Sequence, residues 1–321
     1  MSKVLVTRVI PGPAIEMIRD AGHELVVNPE DRLYTREELH ATVKGCDGVL
    51  TQLGDPVDRA FMEAAGEQLK VVSNFAVGYN NIDVDVATEL GVQVANTPGV
   101  LTDATADIAW VLLMSIARRV IEGDRMVRTG GFDGWTPSML LGGDLNGKTI
   151  AIVGAGRIGY AVAKRAKGWD MEVVYVARSD HDDFENDLGA KRVSLEEALK
   201  VSDFVSLHTP LTEETRHLIN AERLRMMKPS AYLVNTARGP VVDEVALVEA
   251  LRENVIAGAG LDVYEEEPAI APGLAALDNV VLLPHLGSAT HETRAKMSSL
   301  AAENLLNVLA GKKPVHGVNE V

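Results

Sequence analysis

The chain has 321 residues, 46% of them hydrophobic, and a formal net charge of −15. That length predicts two domains rather than one core. The acidic balance excludes nucleic acid and anionic membranes as expected partners, because their phosphates demand clustered Lys and Arg.

From the N-terminus, Met1-Ser2-Lys3 leads straight into apolar residues without a signal-peptide pattern. Strands are predicted at Lys3–Val9, His23–Asn28, Asp47–Gln52, Lys70–Ser73 and Val92–Asn96, with helical segments between them. One of these helices opens on a capping box, Thr35 and Glu38. The only cysteine, Cys46, precedes an apolar strand and reads as a plain buried thiol. With no disulfide possible, a cytoplasmic setting is expected. A turn at Asn74–Asp83 contains Gly78, so the N–H groups of Val77 and Gly78 offer a site for a carboxylate; a tight strand-to-helix turn is the simpler alternative. A long helical pattern, Thr102 to Arg128, is expected to carry the chain from one domain to the other. Its most apolar part, around Ile108 to Ile116, is too short to span a bilayer.

A second series begins with the apolar run Thr149–Ile152 and continues at once into Val153-Gly154-Ala155-Gly156-Arg157-Ile158-Gly159. Strand, Gly-rich turn and helix follow in that order. The first Gly permits the turn, the second lets backbone approach a pyrophosphate, and the third lets helix pack on strand; N–H groups at Arg157 and Ile158 open the helix toward the anion. Further strands are predicted at Val173–Val176, Phe204–His208, Ala231–Asn235, Ile256–Leu261 and Val280–Leu283, and a last helix at Glu292 to Leu309. Successive β-α-β units imply α/β architecture with parallel, doubly wound sheets. Because that last helix follows the final strand of the second series, it is expected to return to the first domain. The expected division is residues 1–99 with 287–321 as a flavodoxin-like substrate domain, and residues 100–286 as an inserted Rossmann dinucleotide-binding domain, with ligands in the crevice that such sheets form.

The end of the second Rossmann strand selects the cofactor. Here it reads Ala177-Arg178-Ser179, without a carboxylate for a ribose 2′-hydroxyl. Arg178 and Ser179 are candidates for a 2′-phosphate, so NADPH is expected as preferred cofactor with NADH also usable. The alternatives are that Arg178 is only a solvated charge and that Asp180, Asp182 and Asp183 weaken its field. Hydride transfer to a 2-oxo acid further requires a cation for the carboxylate, a proton donor, and a carboxylate supporting that donor. Candidates lie at strand ends: Arg238, one of Glu265–Glu267, and His285. Eight scattered His residues give no zinc spacing, so no metal is expected.

The cofactor motif, Asn235-Thr236-Ala237-Arg238-Gly239, Leu261 to Pro268, and Pro284 to Thr290 together resemble the D-isomer-specific 2-hydroxyacid dehydrogenase family over nearly the whole chain. The resemblance implies Arg238, Glu267 and His285 as the catalytic set, and it is the resemblance that picks Glu267 over its two neighbours. It implies Asp262 beside the nicotinamide, and Thr105, His208-Thr209-Pro210, Thr236, Ala237 and Gly287 among the cofactor contacts. A hydrogen-bonded structural role is the other reading of His208. Leu53, Ala76, Val77 and Gly78 would contact substrate together with Arg238 and His285. The segments at Asn74–Asn81, Thr97–Thr102 and Ala177–Ser179 look most like the glyoxylate and hydroxypyruvate reductase branch, which implies a small 2-oxo acid substrate and a homodimer. Trp135 matches a region that can reach a neighbouring subunit in that branch; local packing is the alternative. A broader reductase of pyruvate or bulkier 2-oxo acids, and a dinucleotide-sensing scaffold, are the competing functions.

Overall fold

The structure, a computed structural model, describes all 321 residues. They fall into two units, Met1–Leu101 with Ala289–Val321, and Thr102–Ser288. No helix is long and apolar enough to cross a membrane.

The first unit contains β1 (Lys3–Val6), α1 (Ala14–Asp20), β2 (Glu24–Val27), α2 (Arg36–Thr42), β3 (Gly48–Thr51), α3 (Arg59–Ala65), β4 (Val71–Asn74), α4 (Val84–Glu89) and β5 (Gln93–Ala95). All five strands pair in parallel, in the order β2-β1-β3-β4-β5. The predicted capping box is present: Thr35 accepts the Glu38 N–H, and Glu38 accepts the Thr35 N–H. One face of the sheet buries Leu5, Val49 and Val72 with Phe61 and Met62 of α3. Cys46 is buried in the same cluster, and burial pushes its thiol up.

The second unit opens on helices. The single helix expected from Thr102 to Arg128 is in fact two, α5 (Thr102–Ala117) and α6 (Val120–Arg128). The chain breaks at Arg119, which takes a left-handed conformation (φ 51°) costing about 1 kcal/mol for a non-glycine residue. No Gly or Pro marks the break. A loop then leads to β6 (Thr149–Val153), α7 (Arg157–Ala166), β7 (Glu172–Val176), α8 (Asp182–Leu188), β8 (Lys191–Arg192), α9 (Leu195–Val201), β9 (Phe204–Leu207), α10 (Ala221–Met226), β10 (Tyr232–Asn235), α11 (Glu244–Arg252), β11 (Gly258–Leu261) and β12 (Val280–Leu282). Seven parallel strands run β12-β11-β10-β9-β6-β7-β8. The period-2 alternation of strand side chains divides the core in two. Ala151, Val153, Val205 and Leu207 enter one apolar cluster; Ile150, Ile152, Phe204 and Tyr175 enter the other, against α5 and α7. The two-residue β8 was not predicted.

The chain then enters α12 (His291–Leu309) of the first unit. This helix packs on β3 and β4, and the Ser73 hydroxyl of β4 donates to the Ala301 carbonyl at 2.8 Å.

Candidate active site

The strand order reverses at β6, between β7 and β9, and the Gly-rich turn leaves the carboxyl end of β6 there. Gly154 has φ +104°, and a Cβ on it would lie 2.6 Å from the His208 carbonyl oxygen. A Cβ on Gly159 would lie 2.2 Å from the Gly154 carbonyl oxygen. A Cβ on Gly156 would meet nothing within 4 Å. The outer two glycines are therefore required by the fold itself, whereas the middle one faces open space. Gly156 is also the N-cap of α7 and supplies no side-chain cap to its N–H groups. After the ends of the next two strands, β9 and β10, the buried hydroxyls of Thr209 and Thr236 have no hydrogen-bond partner within the chain. A bare glycine edge, uncapped helical N–H groups and two orphaned hydroxyls fit a dinucleotide's phosphates and sugars.

His208 itself pairs Nε2 with the Ser206 hydroxyl at 2.8 Å. Loss of solvation pulls its pKa down to about 3, so the ring is neutral at physiological pH. At the end of β7, Ala177 is half-buried and Arg178 and Ser179 are exposed. Of the nearby acids, Asp180 is paired with Arg192 of β8 at 2.5 Å. Arg178 also acts electrostatically on Glu214, helping to hold that carboxyl below its ordinary range after the larger effect of the Thr212 hydroxyl.

Arg238, Glu267 and His285 follow the ends of β10, β11 and β12. Asn235, buried at the end of β10, braces the next turn by accepting the Ala237 N–H at 3.0 Å and donating to the Arg238 carbonyl at 3.0 Å. Burial pulls the Arg238 guanidinium pKa below its ordinary value, and the nearby Glu267 charge opposes that fall. Glu267 accepts the Tyr264 N–H on Oε1 at 3.0 Å and the His285 Nδ1–H on Oε2 at 3.0 Å. Burial would raise Glu267, but the hydrogen bond and charge of His285, the Tyr264 N–H and Arg238 prevail and hold it below the usual carboxylate range. An ionised carboxylate accepts only, which places the Nδ1 proton on the imidazole.

His285 is itself left-handed (φ 57°). Its N–H donates to the Asp262 carbonyl at 2.9 Å, and the buried Asp262 carboxylate accepts the N–H groups of Leu286 (2.6 Å) and Gly287 (2.8 Å). Burial pushes Asp262 upward. Three hydrogen bonds thus over-determine a strained residue, as such conformations require. Thr105 of α5 closes on the same turn: a Cβ on Gly287 would lie 3.3 Å from both its methyl carbon and the Asp262 carboxylate.

Two of these anchors escaped the sequence reading. Asn235 was read as the end of a strand and Gly239 as the close of the Arg238 motif, with no role given to either side-chain position. A Cβ on Gly239 would lie 1.8 Å from the Tyr264 carbonyl, so the Arg238 turn sits directly on the backbone leading to Glu267. Glu265, a neighbour of Glu267, is engaged elsewhere, with His217 Nε2 at 2.5 Å.

In the first unit, Leu53 is half-buried after β3 and Ala76 is buried after β4. The carbonyls of Ala76, Val77 and Gly78 are all taken up, by the Thr97 N–H (2.8 Å), Asn96 Nδ2 (2.7 Å) and Asn74 Nδ2 (2.8 Å). The loop thereby turns its carbonyls inward, a geometry that favours an anion at its N–H edge.

The family description "D-isomer specific 2-hydroxyacid dehydrogenase, NAD binding domain" matches residues 110–287. The chain belongs to that family. It is 51% identical to a glyoxylate reductase of Thermococcus onnurineus over 99% of this chain and 96% of that protein. A solved structure from Thermus thermophilus superposes with a TM-score of 0.92 at 48% identity, covering 99% of this chain and 100% of that one. The NADPH-dependent glyoxylate/hydroxypyruvate reductase of Sinorhizobium meliloti, solved with NADP and malonate, superposes with a TM-score of 0.86 at 32% identity, covering 99% and 96%. The enzyme is thus an oxidoreductase that uses a nicotinamide dinucleotide.

Proposed function

We propose that this dehydrogenase reduces glyoxylate and hydroxypyruvate to glycolate and D-glycerate, with NADPH as preferred reductant and His285 as proton donor. The observation that carries the reading is the His285–Glu267 pair at 3.0 Å beside a half-buried Arg238. The names of the relatives support the substrate class.

The residues divide the work between cofactor and substrate. Gly156 with the Arg157 and Ile158 N–H groups would hold the pyrophosphate on the turn that Gly154 and Gly159 make possible; Thr105, Thr209, Pro210, Thr236, Ala237, Asp262 and Gly287 would surround the nicotinamide half. Bound there, the reduced nicotinamide supplies a hydride for the keto carbon. Arg238 clamps the substrate carboxylate with its planar fork and polarises the carbonyl. His285 Nε2 gives its proton to the carbonyl oxygen as negative charge develops there, while Glu267 stays ionised on Nδ1 and stabilises the imidazolium before the transfer. Within the first unit, the Val77 and Gly78 N–H groups are the donors for a carboxylate, with Leu53 and Ala76 as its apolar residues.

For NADPH, the support is the exposed Arg178 and Ser179 with no carboxylate at the end of β7, and the pairing of Asp180 with Arg192, which removes one opposing charge. Val127 of α6 and Phe132, Trp135 and Leu141 of the loop after it are exposed apolar side chains that we assign to a homodimer. Steady-state kinetics with glyoxylate, hydroxypyruvate and pyruvate, each with NADPH and NADH, tests the reading. Higher kcat/KM for the first two acids with NADPH is expected. A preference for pyruvate would make this a broader 2-oxo acid reductase. Tight NADPH binding without turnover of any 2-oxo acid would make it a sensor.

A further inference from the structure

Glu244 is the first residue of α11, 5% exposed, and its Oε1 is buried without a hydrogen-bond partner. It is not among the residues assigned to cofactor or substrate. Its main-chain N–H, one of those a helix start leaves unpaired, donates to Glu265 Oε2 at 3.3 Å. Its carboxyl faces the main-chain N–H groups of Glu265 and Ala271. Glu265 and Ala271 bracket the segment that carries Glu267. The same Glu265 holds His217 Nε2 through Oε1 at 2.5 Å, with Arg216 Nη1 3.7 Å away. His217 is left-handed (φ 50°), and its N–H donates to the Pro240 carbonyl, in the turn after Arg238, at 2.7 Å. Glu244 thus stands where the supports of Glu267 and of the Arg238 turn meet.

We propose that Glu244 is a positioning residue for proton donation: from the start of α11 it fixes both ends of the 265–271 segment, and so sets Glu267 against His285. This rests on the assignment of His285 as proton donor. Groups facing Glu244 are Glu265, Glu267 and Tyr264 on that segment; His217 and Arg216 lie behind Glu265, and Arg238, Asp262 and His285 lie around Glu267. Burial raises the Glu244 carboxyl, the N–H groups of Glu265 and Ala271 oppose that rise, and the charges of Glu265 and Glu267 add to it. Gln keeps the length of the side chain and an acceptor oxygen for those N–H groups, and that sets the test.

Glu244→Ala should lower kcat about ten- to a hundredfold, the scale of a small displacement of reacting groups. The alkaline limb of its pH–kcat profile should move to lower pH, because a displaced Glu267 supports the imidazolium less. NADPH affinity, measured by nucleotide fluorescence, should hold. Glu244→Gln should restore most of the lost kcat and return the limb. Glu265→Gln, which weakens the grip on His217 and on the Glu244 N–H, should shift kcat and the limb in the direction of the Ala variant, and it decides the matter if Glu244→Ala does not fold. An unmoved pH profile in the folded Ala variant, or a Gln variant as impaired as Ala, overturns the proposal. His285→Ala is measured alongside: normal turnover there defeats the proton-donor assignment, whereas loss there with an unmoved Glu244→Ala defeats the positioning role alone.

Discussion

His285 depends on Glu267 in a way that fixes the pH behaviour. Glu267 is held below its ordinary value, so its support is complete above the usual carboxylate range and is lost only as pH falls through the depressed value. Across neutral pH the carboxylate is therefore a constant partner of the imidazole it is bonded to. Glu267→Gln should therefore move the alkaline limb of kcat/KM to lower pH; an unmoved limb would remove Glu267 from the proton donor's support. His285→Ala should cost about a hundred- to ten-thousandfold in kcat with NADPH affinity retained. Arg238→Lys keeps a charge but loses the fork, and kcat/KM should fall while cofactor binding stays constant. At this scale the sequence was informative about residue type and poor at choosing among identical neighbours. Three consecutive glutamates are chemically equal until tertiary partners separate them: Glu265 goes to His217, and Glu267 goes to His285. Asn235 and Gly239 were illegible for a related reason, since bracing a turn and admitting a backbone leave no local pattern.

The three glycines of the β6–α7 turn are alike in sequence and different in surroundings. Gly159→Ala forces a Cβ to 2.2 Å from a carbonyl oxygen, and should destabilise the protein by about 1–3 kcal/mol, read as a lowered Tm. Gly156→Ala meets open space and should leave Tm nearly unchanged while weakening NADPH binding, because the added methyl stands where phosphate must approach. Equal Tm losses in the two variants would show that both glycines serve packing alone. The alternation of strands and helices was legible because short apolar runs, buried on both faces of the parallel sheets, alternate with helical patterns. The α5–α6 break was not, since apolar periodicity runs through Arg119 and the turn uses no glycine. Nor was β8, whose two residues, Lys191 and Arg192, are exposed and charged.

For the molecule as a whole, the acidic surface and the exposed apolar side chains of Val127, Phe132, Trp135 and Leu141 pull against each other: the first favours separation, the second burial. Burial should win in a dimer of about twice 34.5 kDa by sedimentation, and paired Val127→Glu and Leu141→Glu changes should yield monomer. A monomeric parent protein would end the homodimer assignment. The connectivity has its own consequence. The first parallel sheet is complete in its strands by Ala95, yet α12, whose Leu305 meets Gly48 of β3 and whose Ala301 carbonyl takes the Ser73 hydroxyl, is encoded after all of the second unit. On the ribosome, those earliest strands must wait, one flank uncovered, through the synthesis of roughly two hundred more residues, while the nucleotide-holding half emerges as an uninterrupted stretch able to mature first.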